Sequence, residues 1–161
     1  MPTEIERKFL VIGEAWRSAT DSDQSPIAGI RYRQGYIFAD RQRSVRVRVA
    51  GEQGYLTIKG ATTGITRSEF EYPIPLAHAL ELLATLCEPP LIEKTRYRIP
   101  HKHLTWEVDE FSGDNQGLVI AEVELTDPAQ AIALPDWIGQ EVSDDPRYYN
   151  SNLAKHPFTQ W

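Results

Sequence analysis

Polar and apolar residues alternate along most of this chain with the period-two rhythm of extended strands. The pattern predicts strands near 3–11, 30–38, 43–50, 54–59, 67–74, 91–99, 104–111 and 118–126, each enriched in β-branched or aromatic residues. Gly51-Glu-Gln-Gly54 reads as a tight hairpin turn, Gly60–Gly64 as a looser one, and 112–117 as a loop. Helical spacing is confined to three stretches. Leu76–Leu86 carries an apolar stripe (Leu76, Ala79, Leu80, Leu83, Leu86) behind Pro75. Asp127–Leu134 and Asp145–Ala154 each open with an Asp-Pro start signal. A short helix is also expected around 14–19.

Eight short strands with few helices predict an antiparallel sheet, either a sandwich or a closed barrel. No repeat or linker divides the chain, so 1–161 reads as one domain.

Composition narrows the setting. With 41% hydrophobic and 25% charged residues, the chain is that of a globular protein able to bury a core. A formal charge of −6 argues against a general nucleic-acid or membrane-surface binder. Cys87, the single cysteine, excludes an internal disulfide framework and reads as a buried structural thiol. Charges at Glu4, Glu6, Arg7 and Lys8 interrupt any signal-like apolar run, and the expected location is the cytoplasm.

Charged residues recur at i, i+2 within the predicted strands: Glu4/Glu6/Lys8, Arg46/Arg48, Glu69/Glu71, Lys94/Arg96, Glu107/Asp109 and Glu122/Glu124. Ordinarily such alternation puts charges in water and valines in the core. Here several strands carry same-sign pairs, which destabilise an open sheet face, and the acids sit mid-strand among good strand formers. The cations and anions balance in number but cluster by sign. A face of that kind suits a polar lumen, with metal ions on its acidic part and a polyanion on its basic part.

The chemistry follows from the residue types. Carboxylates supply the hard oxygen ligands of Mg²⁺ or Mn²⁺, whereas the Cys/His spacing of a zinc site is missing. His78, His101, His103 and His156 read as surface residues. No glycine-rich phosphate loop occurs, so phosphate would be held by guanidinium and ammonium groups. So many cations exceed what a monophosphate needs and suit a linear triphosphate.

Glu4-Ile-Glu6-Arg-Lys8 resembles the Glu-x-Glu-x-Lys signature of the CYTH domains, or triphosphate tunnel metalloenzymes. The likeness continues in order through Arg33–Tyr36, Val45–Arg48, Leu56–Lys59, Arg67–Glu71, Glu93–Arg96, Glu107–Phe111, Ala121–Leu125 and Asp145–Asn150. What the resemblance implies is an α+β, mainly β fold: a closed eight-stranded antiparallel barrel, the triphosphate tunnel, with helices packed outside. By position, Glu4, Glu6, Asp109, Glu122 and Glu124 would ligate Mg²⁺ or Mn²⁺. Lys8, Arg46, Arg48, Lys59, Lys94 and Arg96 would hold the triphosphate. Lys8 would act in catalysis, and Tyr36 and Lys59 would form a pair assisting proton transfer. Arg7, Arg31 and Arg33 have the opposite parity and are excluded. The implied activity is metal-dependent hydrolysis of inorganic triphosphate to pyrophosphate and phosphate. A class IV-type adenylate cyclase, a thiamine triphosphatase and a non-catalytic polyphosphate or nucleotide binder share the motif. The expected partner is a triphosphate-containing small molecule, without nucleic acid or membrane, and the family admits a homodimer.

Overall fold

The computed structural model describes residues 2–161. Its strands are β1 (Thr3–Val11), β2 (Ile30–Ala39), β3 (Arg43–Ala50), β4 (Gln53–Gly60), β5 (Thr66–Ile74), β6 (Ile92–His101), β7 (Leu104–Ser112), β8 (Val119–Glu124) and β9 (Ile138–Glu141). They form one antiparallel sheet in the order β5-β4-β3-β2-β6-β7-β8-β1-β9. Pairing of β1 with β5 closes eight of them into a barrel, through Thr3↔Ser68, Glu4↔Arg67 and Ile5↔Thr66. Beyond Ile5 the two strands part, and the free edge of β1 is taken up by β9, with Phe9↔Glu141 and Val11↔Ile138. That ninth strand is four residues long and interrupted by Gly139, too short for an alternation pattern to show.

The inside-out order holds. Val47 and Val49 point away from the lumen and are buried against Ala79, Leu83 and Cys87, contributed by α1 (Leu76–Thr85) and the residues after it. The hairpin turn before β4 is only Gly51–Glu52, with Ala50 facing Gln53 and Gly51 at φ +59°. Gly54, expected where that turn meets the strand, is buried in β4. A Cβ there would lie 2.8 Å from that of Ala79, so the bare glycine lets α1 seat on the barrel. On the opposite wall Phe9, Trp106, Val108, Ala121 and Val123 form the outer core, over which Trp16, on a short 3-10 turn at Ala15–Ser18, is packed.

The second helix, α2 (Asn150–Lys155), follows a 3-10 turn at Pro146–Tyr148. It is not a further outer layer. The inward rows turn apolar at one end: Leu10 beyond Lys8, Ile92 before Lys94, Phe111 beyond Asp109, Ile120 before Glu122. Tyr148 and Leu153 pack on these residues with Leu118 and Val142, so α2 and its turn plug that end of the barrel. The helix expected over Asp127–Leu134 does not form. Asp127 instead makes a turn, its side chain accepting from the Ala129 N–H and its carbonyl from Gln130. Only four residues remain before Pro135, too few to offset helix nucleation. Among the described residues no helix is long and apolar enough to cross a membrane.

Candidate active site

Strand parity builds the site. Because β-strand side chains alternate, β1 turns Glu4, Glu6 and Lys8 inward, β3 Arg46 and Arg48, β6 Lys94 and Arg96, and β8 Glu122 and Glu124. With Lys59 of β4, Arg67, Glu69 and Glu71 of β5, and Tyr32 and Tyr36 of β2, they line a cavity of about 520 Å³. Arg7, excluded by parity, pairs with Glu141 on the outside, and Arg31 and Arg33 lie beside Glu93 there. Arg98 is a largely solvated rim residue bonded to Glu107.

Most lumen cations are matched to carboxylates. Lys59 Nζ lies 3.1 Å from Glu4 and 3.2 Å from Glu69, and Arg67 Nε donates to Glu4 at 2.8 Å. Burial favours a neutral Glu4, but Lys59 and Arg67 outweigh it and hold the carboxyl at about 2. Burial likewise opposes the charge on Glu122, and Lys8, at 3.5 Å, and Arg96 hold it well below the usual carboxylate range. Arg46 donates to Thr57 Oγ1, which donates on to Glu71.

Two groups of residues depart from this matching. The first is acidic. Glu6 stands directly opposite Glu124 on β8, and its only ion-pair neighbour among the described residues is Arg67 at 3.9 Å. Burial, together with the charges of Glu122 and Glu4, pushes Glu6 up to about 8. Burial and the charges of Glu4 and Glu69 also raise Glu124. Carboxylates that repel one another in this way are relieved by a cation of higher charge. Among the described residues no three carboxylates converge into a preformed ligand cage. The donor set nevertheless fits a Mg²⁺-like ion, which takes one or two carboxylates and completes its octahedron with water and substrate oxygens. Glu6 and Glu124 are the least engaged candidates.

The second is basic. Arg48 has no carboxylate partner among the described residues; its Nε donates to Gln34 at 3.0 Å. Burial and the neighbouring Arg46 and Arg96 lower it to about 10. Gln34, fully buried, in turn donates to Asn150 Oδ1, which also accepts from Lys94 at 3.1 Å. The plug helix is thereby bonded to the basic wall. Burial draws Lys94 down to about 7 despite its 2.7 Å contact with Asp109.

Two of the expected site residues stand apart from the rest in their contacts. Asp109 does not line the cavity. It is 1% exposed, with one oxygen accepting from Arg96 Nε at 2.7 Å and the other from Lys94 and from Arg96 Nη2 at 2.8 Å. It lies behind the cations, where a metal ligand would have to compete with both. Tyr36 and Lys59 both line the cavity, with no hydrogen bond between them; the Lys59 amine is held by Glu4 and Glu69. Tyr32, Gln34 and Asn150 were not anticipated. The first two share the inward parity of Tyr36, but being neutral they carry no charge pattern to draw the eye.

The CYTH domain profile matches residues 2–149 of the chain. An inorganic triphosphatase of Acetivibrio thermocellus is 55% identical over 158 residues, covering 98% of this chain and 97% of that protein. An inorganic triphosphatase of Nitrosomonas europaea is 38% identical over 157 residues, covering 94% and 97%. The crystal structure of the inorganic triphosphatase NE1496 superposes with a TM-score of 0.64 at 34% identity, covering 96% of this chain and 95% of that one.

Proposed function

The chain belongs to the CYTH domain family, and on that premise we propose that it hydrolyses inorganic triphosphate to pyrophosphate and phosphate inside the barrel. The observation that carries the reading is Arg48, a half-buried guanidinium with no carboxylate partner among the described residues, grouped with Arg96 and Lys94. An unpaired cation partly withdrawn from water is costly unless an anion completes it, and a linear triphosphate brings several negative charges to one place. The full-length relatives favour hydrolysis over cyclisation of ATP, hydrolysis of thiamine triphosphate or binding alone.

The family implies a divalent metal, which we take to be Mg²⁺ or Mn²⁺, with Glu6 and Glu124 as its first carboxylates and Glu4 and Glu122 within the same acidic cluster. When bound, such an ion neutralises phosphate charge and makes a coordinated water more acidic. The protein's own part is positioning and charge. Arg46, Arg48, Lys94 and Arg96 would grip non-bridging oxygens, Arg48 by a bidentate contact. Lys8 and Lys59 reach the junction of the acidic and basic walls. As the bridging P–O bond breaks and the oxygen of water joins phosphorus, charge grows on the departing pyrophosphate. Fixed cations stabilise that charge without reorganising. Asp109 would keep Lys94 and Arg96 in place, and Tyr36 would line the cavity with Lys8 and Lys59. The cytoplasm is the compartment we assign.

Phosphate release from inorganic triphosphate, with Mg²⁺, with Mn²⁺ and with chelator, beside ATP, tests the reading. Rapid metal-dependent release from inorganic triphosphate with little from ATP is expected. Silence on inorganic triphosphate, with cyclic AMP and pyrophosphate formed from ATP, would overturn it.

A further inference from the structure

Tyr32 sits where three cations of the basic wall meet. On β2 it is directly opposite Lys94 of β6 and Ala50 of β3. Its neighbours Ile30 and Gln34 are opposite Arg96 and Arg48, so both arginines fall on its diagonals, within reach of an aromatic ring. The Arg48 guanidinium lies 4.8 Å from the ring centroid, that of Arg96 4.9 Å, and Lys94 Nζ 6.0 Å. These groups repel one another. Asp109 offsets Arg96 and Lys94, but among the described residues Arg48 has only the Gln34 amide and this ring. An aromatic face attracts cations most strongly where water is excluded, and Tyr32 is 9% exposed.

We propose that Tyr32 is a positioning residue for substrate binding: its ring face holds Arg48, and with it Arg96, at the spacing that grips the triphosphate. The residue acts through the arginines and touches no reacting atom. The inference rests on the triphosphatase reading for its substrate, but the ring's role follows from the contacts. It is the face of the ring, not the hydroxyl, that matters. Loss of the face lets Arg48 swing away from Arg96 and weakens the grip on the ground state and transition state alike. KM then rises while kcat holds.

The test replaces Tyr32 with Phe and then with mono-, di- and trifluorinated Phe, which keep the ring's shape while draining its negative face. Tyr32→Phe should leave KM for inorganic triphosphate within about twofold of the parent, and trifluorination should raise it about tenfold. Each added fluorine should contribute a step, with kcat and the melting temperature nearly constant. A KM that is flat across the fluorinated series overturns the proposal, as does a Tyr32→Phe protein already as impaired as the trifluorinated one. If the parent does not hydrolyse inorganic triphosphate, it is the functional reading that fails. Calorimetric binding of inorganic triphosphate across the same series then judges Tyr32 on its own.

Discussion

Glu6 and Glu124 face each other across the β1–β8 ladder, and among the described residues neither has a cation nearer than Arg67, 3.9 Å from Glu6. The next pair along, Lys8 and Glu122, has opposite signs. One step of the same ladder therefore repels and the other attracts, and the repelling step is where a divalent ion has something to gain. Glu6→Gln should remove the repulsion. The metal-free protein should melt at the same temperature or higher, while the metal concentration giving half-maximal activity rises about tenfold or more. Melting curves and a Mg²⁺ or Mn²⁺ titration of activity check both halves. An unchanged metal requirement would remove Glu6 from the site.

Arg48→Ala separates substrate binding from stability. Removing a half-buried cation that has no carboxylate partner among the described residues should leave the melting temperature unchanged or raise it. KM for inorganic triphosphate should rise about 10- to 100-fold, the loss expected for hydrogen bonds to a charged group. Steady-state kinetics beside a thermal melt distinguishes this from general damage.

Asp109→Asn should do the reverse. It breaks the contacts of Arg96 and Lys94 and leaves both cations buried together, at a cost of about 3–5 kcal/mol. Denaturant titration measures that loss. The activity that remains should show an unaltered metal requirement, since Asp109 lies behind the cavity wall; a shifted requirement would restore it as a ligand.

Lys94 makes stability depend on pH. The groups facing it are Asp109, Asn150, Arg96, Arg48, Glu122, Tyr32 and Phe111. Its folded pKa is about 7, below the ordinary 10.5. The folded state sheds this proton first, so the contribution of Lys94 to stability grows as pH rises from 7 towards 10.5. Lys94→Met lacks that gain. The melting temperature of the variant should therefore fall behind the parent's as pH rises from about 7 to 9, measured in metal-free buffer. A constant difference would count against a depressed Lys94.

Much of this was legible in the sequence because alternation is a local property. Glu4, Glu6 and Lys8, or Arg46 and Arg48, declare their common face without any knowledge of their partners. The partners themselves were not legible. That Arg67 would sit on Glu4, or Lys94 on Asp109, depends on register between strands far apart in the chain, and several registers satisfy the same alternation. The plug was hidden for a related reason. Leu10, Ile92, Phe111 and Ile120 share the parity of the charged rows and mark where the lumen ends, yet each alone looks like an ordinary strand residue. The 127–134 segment failed because Asp-Pro starts turns as readily as helices.

The seam of the ring has a kinetic meaning. Three residue pairs join β1 to β5, and Glu4 is in the middle of them. The acidic half of the site needs β1 beside β8 as well, so Glu4 and Glu6 meet Glu122 and Glu124 only when opposite ends of the sequence have come together. Such distant pairings form late, because the entropy of closing the intervening loop must be overcome first. A nascent or partly folded chain would thus carry every residue of the site and still be unable to attack polyphosphate. Acquisition of activity during refolding should report the last stitch of the barrel rather than the appearance of its strands.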